Sequence, residues 1–218
     1  MTAVRDQQLE AFVTACHKVA GYGLVQCSSG NLSWRIAPDK VLLSGTRTWL
    51  AEICPEQVAL CDGRGRSING VHPSVESRFH MGILARRDDV DVVLHFQTPH
   101  ATALACMDLV GTNYNVLPEI PYYIGSIAQV PYFTPGSEAL AEAVVAALAD
   151  HDLAMLMNHG QVAVGQTFEQ TIQKAVFFEM ACGILLRAGA NVQPLSPEEI
   201  AAVGSYHDGK HPADRPAE

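Results

Sequence analysis

Segments patterned as helices and segments patterned as strands alternate along almost the whole of this 218-residue chain, and that alternation restricts its fold more than any other feature. Near the start, Leu9, Phe12, Val13, Cys16 and Val19 recur at the 3,4 spacing of one helical face, and Gly21 and Gly23 stop the run. Residues 24–70 read as short strands and turns, with LSWRI and KVLL separated by Pro38-Asp39. Ser74 is placed to cap a helix over 75–87, closed by Arg86 and Arg87 in its last turn. VDVVLHF, residues 90–96, is rich in β-branched residues and is expected as a buried strand.

A second cycle follows. Ser137 opens an alanine-rich helix over 138–149, and LAMLM (153–157) and QVAVG (161–165) are strands around the turn Asn158-His159-Gly160. Thr167 with Gln170 makes a capping-box pattern before a long apolar helix that runs to Gly189, and Ser196-Pro197-Glu198-Glu199 starts another. Helices alternating with strands imply a layered α/β protein, and the tight turn at Asn158-His159-Gly160 makes part of the sheet antiparallel. The expected architecture is three-layer α/β/α around a mixed, largely antiparallel sheet. One domain over 1–204 and a polar, proline-containing tail over 205–218 are expected. GYGLVQ is not a G-x-G-x-x-G and no strand precedes it, so a dinucleotide-binding fold does not fit.

Composition narrows the function classes. At 48% hydrophobic and 17% charged, the chain can bury a sizeable core. Its formal charge of −9 argues against nucleic-acid and anionic-membrane partners, though a locally positive pocket can still take a small anion. The six cysteines are scattered without a CxxC pair, which reads as buried reduced thiols and a cytoplasmic location. No apolar run is long enough to span a membrane, and the polar N-terminus is unlike a signal peptide.

The residues that carry chemistry are few. His95 and Gln97 sit two apart on an expected strand, so both side chains point to one face while Phe96 points to the other. Two donors at that spacing form half of a metal site, to which His159 in its turn and Glu76 near a helix start could add. The surrounding contexts sharpen this. Ser29-Gly30-Asn31-Leu32-Ser33, Leu43-Ser44-Gly45-Thr46, Pro73-Ser74-Val75-Glu76 with Phe79-His80, His95-Phe96-Gln97 with Ala101-Thr102-Ala103, and Asn158-His159-Gly160 with Gly165 occur in order. In that order and spacing the chain resembles the class II aldolase/adducin family over roughly residues 5–203.

The resemblance implies a divalent metal, zinc or manganese, held by His95 and His159, with Glu76 as ligand or general base. It implies a substrate anion held by Gly30 and Asn31, by Ser44 and Gly45, and by Ser74; the cations nearby in sequence are Arg47 and His72. It also implies a homotetramer with active sites between subunits and a tyrosine donated across the interface, at Tyr122 with Tyr123 as its rival. Two positions depart from the family pattern. Gln97 stands where a second metal histidine is usual, either as an oxygen donor that favours manganese or magnesium over zinc or as a hydrogen-bonding group to substrate. Val75 stands where a second serine is usual and removes one anion contact. The implied reaction is retro-aldol cleavage of a small sugar phosphate, with the carbanion stabilised as an enediolate by the metal. Decarboxylation of a 3-oxo acid is the alternative on the same scaffold, and a catalytically silent, adducin-like assembly module is the alternative from another class.

Overall fold

The structure, a computed structural model, describes residues 2–108 and 111–207, with backbone alone at 2–5 and 205–207. Helix α1 (Thr2–Gly21) leads into β1 (Asn31–Ala37), β2 (Lys40–Ser44) and β3 (Val58–Asp62). Then come α2 (Ser77–Arg86), β4 (Val92–Phe96), the short α3 (Pro99–Ala105) and a one-turn π-helix at Ile120–Ile124. The second half runs β5 (Ile127–Val130), α4 (Glu138–Ala147), β6 (Leu153–Leu156), β7 (Gly160–Gly165), α5 (Phe168–Ala188) and α6 (Pro197–His207). α6 continues to His207, into the segment assigned to a tail from its sequence; residues 208–218 lie outside the described residues.

The seven strands form one mixed sheet in the order β3-β2-β1-β4-β7-β6-β5. Every neighbouring pair is antiparallel except β5 with β6, which matches the mixed, largely antiparallel sheet expected. Side-chain alternation along β4 explains the layers. Val92, Leu94 and Phe96 pack with Phe12 and Val19 of α1, Leu104 of α3 and Phe178 of α5. Val93 turns the other way, toward Ile83 and Leu84 of α2 and Val144 of α4. His95 shares the face of Val93, so the sheet presents it to the α2 side.

Arg35 of β1 fixes where α2 lies. Its guanidinium donates to the carbonyls of Leu84 at 2.7 Å and Arg87 at 3.0 Å, and pairs with Asp91 at 2.8 Å. Those carbonyls belong to the last turn of α2, where orphan acceptors need donors. The other helix ends follow their sequence signals. Ser137 Oγ accepts from Leu140 N at 3.1 Å, Thr167 Oγ1 from Gln170 N at 3.2 Å, and Ser196 and Glu199 cap one another.

One start differs from expectation: α2 begins at Ser77 rather than at 75. Ser74 Oγ accepts from Glu76 N at 3.3 Å and Ser77 N donates to Ser74 O, so a tight turn replaces the first helical turn and Glu76 stands at the N-cap. The thiols also differ. Cys16, Cys61 and Cys182 are buried and burial raises all three, but Cys27 and Cys106 are exposed. Among the described residues no helix is long and apolar enough to cross a membrane.

Candidate metal centre

Strand pairing assembles the site. In the β1–β4 register Asn31 lies opposite His95, and the β6–β7 hairpin carries His159 in the turn ahead of Gly160. Glu76, at the start of α2, closes the third side. One nitrogen or oxygen of each of Glu76, His95 and His159 lies within 4.8 Å of the others, a group able to hold a metal ion. His95 Nε2 is 3.5 Å from Glu76 Oε2, and His159 Nε2 is 3.4 Å from Glu76 Oε1. Zinc bonds of about 2.0–2.1 Å in a tetrahedral shell place ligand atoms about 3.3–3.4 Å apart, and each histidine Nε2 stands close to that distance from one of the Glu76 oxygens.

The protonation states favour the same role. His95 Nδ1 donates to the Gln161 carbonyl at 2.9 Å, which fixes the ring orientation and leaves Nε2 facing Glu76. Burial, reinforced by the neighbouring His95 and opposed by Glu76, pushes His159 down to about 4, so its ring is neutral at physiological pH. Glu76 Oε1 and His159 Nδ1 are buried without a hydrogen-bond partner among the described residues. An unpaired buried carboxylate oxygen is costly, and a bound cation would satisfy it.

Gly160 permits this crowding. A Cβ there would stand 2.7 Å from the Phe96 carbonyl oxygen, 2.7 Å from Gln97 Cγ and 3.1 Å from His95 Cε1. Gly30, at φ +73°, plays the same part on the β1 side, where a Cβ would lie 2.7 Å from the His95 carbonyl oxygen.

A cavity of about 470 Å³ opens over the cluster. Gly30, Asn31, Gly45, Ser74, Glu76, His95, Gln97 and His159 all line it, so most of the residues singled out from the sequence meet in one place. Gln97 lies just past β4 on the same side as His95, as its spacing implied. Val75, 66% exposed, adds an apolar surface to the lining.

One expected placement is corrected, and three others gain detail. Ser44 does not line the cavity: it is buried between β1 and β2, where its hydroxyl accepts from Leu32 N at 3.2 Å. Gly45 does line it, but its N–H is spent on the Gln57 carbonyl at 2.9 Å. Asn31 is more than an anion donor, because its amide nitrogen donates to Glu76 Oε2 at 2.9 Å and its oxygen faces His80 Nε2. Tyr122 lies on the π-helix, edge-on to Tyr123, and does not line the cavity of its own chain.

The structure also promotes residues that the sequence left in the background. Among the described residues Arg47 is the one guanidinium lining the cavity, whereas His72 is exposed and outside the lining. Arg47 sits at φ +58°, a left-handed conformation that is uncommon for a side chain of this size. His80, fully buried, is held well below its ordinary value by burial and by the proximity of His95. The signal for His80 was its place four residues after Glu76, on the same helical face.

Fold and site together give a mixed α/β sheet that carries two histidines and a carboxylate able to hold a metal ion. Residues 10–186 match the Class II Aldolase and Adducin N-terminal domain, and the chain belongs to that family. The L-fuculose phosphate aldolase of Escherichia coli K12 is 30% identical over 207 residues, 91% of this chain and 93% of the relative. The 3-oxo-tetronate 4-phosphate decarboxylase of Haemophilus influenzae is 31% identical over 140 residues, 63% of this chain and 67% of the relative. Among solved structures, YgbL from Escherichia coli superposes with a TM-score of 0.86 at 23% identity, covering 92% of this chain and 99% of that one. An L-fuculose 1-phosphate aldolase superposes at 0.81 with 22% identity, covering 92% and 95%. Those two likenesses establish the fold.

Proposed function

We propose that the chain is a divalent-metal-dependent carbon–carbon lyase acting on a small phosphorylated hydroxycarbonyl compound. The observation that carries this reading is the Glu76–His95–His159 cluster, with Glu76 and His95 buried and His159 half-buried, lining a cavity that also holds Arg47. Two imidazoles and a carboxylate, with Gln97 beside them, suit zinc or manganese. Bound there, such an ion supplies Lewis-acid stabilisation of charge developing on a substrate oxygen, worth several kcal/mol.

The chain's own side chains do the rest. His95 and His159 offer imidazole nitrogens held in place by β4 and the β6–β7 turn, and burial keeps the His159 ring neutral. Glu76 keeps Oε2 on the Asn31 amide, so Oε1 is the oxygen open to an ion or to a proton of the substrate. The Arg47 guanidinium, with the hydroxyls of Thr46 and Ser74, forms the cradle for a phosphate, and Arg is the side chain suited to bidentate phosphate contact. A phosphate is common to the named substrates of both kinds of relative, which supports this choice over a bare carboxylate.

The two names differ in the bond broken. Retro-aldol cleavage and decarboxylation both leave a carbanion beside a carbonyl, and the cluster serves either. We take retro-aldol cleavage as the primary reading; the similarity to the decarboxylases supports the other equally. Incubation of the metal-loaded protein with L-fuculose 1-phosphate and with 3-oxo-tetronate 4-phosphate separates them: release of aldehyde marks the first and carbon dioxide the second. Neither product from either substrate, with zinc or with manganese, would refute the proposal for these substrates.

The working form is proposed to be a cytoplasmic homotetramer in which Tyr122 reaches a neighbour's site. Its position outside the cavity of its own chain supports this. Light scattering that reports a monomer at micromolar concentration would overturn it.

A further inference from the structure

His80 is a buried titratable side chain beside the site that the proposed chemistry leaves unused. It is fully buried on α2, stacked against Phe79 with ring centroids 4.7 Å apart. Both ring nitrogens are engaged: Nδ1 with Ser33 Oγ at 2.8 Å, and Nε2 with Asn31 Oδ1. Asn31 in turn contacts Glu76, 45 residues away in sequence.

The chemistry of the partners fixes every hydrogen in this series. A carboxylate oxygen only accepts, so the Asn31 atom facing Glu76 Oε2 must be the amide nitrogen. The amide oxygen then faces His80 and also only accepts, so Nε2 must carry the ring proton. Nδ1 of the neutral ring is then an acceptor, and Ser33 must donate to it. The bonds therefore run in one direction: Ser33 to His80, His80 to Asn31, Asn31 to Glu76. Without the donor at His80, only the bond to Glu76 holds the amide against flipping. A flipped amide would turn its oxygen on Glu76 Oε2, setting two acceptors face to face.

We propose that His80 is a positioning residue for the Glu76 carboxylate: it locks the Asn31 amide in the orientation that ties down Oε2 and leaves Oε1 toward His159. This rests on the reading of Glu76, His95 and His159 as a metal centre. Hydrogen-bonding partners behind metal ligands are worth about 10–100-fold in metal affinity or activity. His80 gains that role from burial and geometry, without touching the ion or the substrate.

Calorimetric titration of the metal-free protein with zinc or manganese tests the role. His80→Phe keeps the ring volume and removes the donor, and should weaken metal binding about 10–100-fold. His80→Gln, whose amide nitrogen can stand near the Nε2 position, should restore binding to within a few-fold of the wild type. A His80→Phe protein that binds as tightly as wild type would overturn the proposal. So would a His80→Gln protein as weak as His80→Phe, because volume alone would then explain the loss. If His80→Phe fails to fold, the tautomer decides: long-range nitrogen–proton couplings in the wild type should show His80 protonated at Nε2, and protonation at Nδ1 would overturn the series. A wild type that binds neither ion defeats the metal reading instead, and the tautomer still tests the hydrogen-bond chain on its own.

Discussion

Gly160→Ala perturbs the site through the backbone and leaves all three candidate ligands in place. The added Cβ would stand 2.7 Å from the Phe96 carbonyl oxygen, where such carbon–oxygen contacts need about 3.3 Å. The β4 and β7 backbones must therefore separate locally by roughly 0.6 Å, and β4 carries His95. Binding constellations tolerate about 0.5 Å, so the shift takes His95 out of register with His159 and Glu76. Overpacking of this kind costs about 1–3 kcal/mol. For a chain of this size each kcal/mol moves Tm by about 2–4 °C, which gives a fall of about 2–12 °C. Zinc affinity should drop by about tenfold or more. Differential scanning calorimetry of the metal-free protein and zinc titration of the same samples measure the two effects. A Tm within about 1 °C of wild type together with unchanged zinc affinity would refute the argument that close backbone approach at Gly160 sets the ligand geometry.

Arg47→Gly separates strain from function: the left-handed conformation costs about 1–2 kcal/mol for a side-chain-bearing residue, against about 0.5–1 kcal/mol for the extra freedom of glycine. The variant should therefore be as stable as wild type or more so in thermal melts, while phosphate inhibits it at least tenfold less well; unchanged phosphate inhibition would remove Arg47 from the cradle. In the metal-free protein His159 should titrate by NMR well below 6.5, near the value of about 4 to which burial and His95 push it. Because the unfolded chain takes up that proton first, this group's contribution to stability declines as pH falls from about 6.5 toward 4; a midpoint at or above 6.5 would contradict the environment assigned to it. Gln97→His should raise zinc affinity, since imidazole is the better zinc donor, and calorimetry showing no gain would mean that Gln97 does not face the ion.

Much of this was legible in the sequence because it depends on period and order. The i,i+2 spacing put His95 and Gln97 on one side of β4, and the cap residues marked α4, α5 and α6. Short elements escaped. α3 has too few turns to show a period, and β5, with the sequence IAQV, offers only four residues. Hydrogen-bond partners across the fold escaped as well. Nothing local to Ser44 reveals that its hydroxyl oxygen accepts from Leu32 N, nor that Asn31 faces Glu76 and His80 at once. Both depend on the β1–β2 and β1–β4 registers, which only the folded sheet defines. The extra turn before α2 was hidden for a similar reason: Ser74 is a sound cap by residue type, but its hydroxyl is used two residues on, at Glu76 N.

Elemental analysis after equilibration with divalent ions and removal of loosely bound metal tests the central claim most directly. The wild type should retain about one zinc or manganese per chain, and a His95→Ala/His159→Ala double variant should retain none while its circular dichroism stays native. A wild type that retains no stoichiometric ion with either metal, or a double variant that retains as much as wild type, would contradict the assignment of Glu76, His95 and His159 as the metal centre.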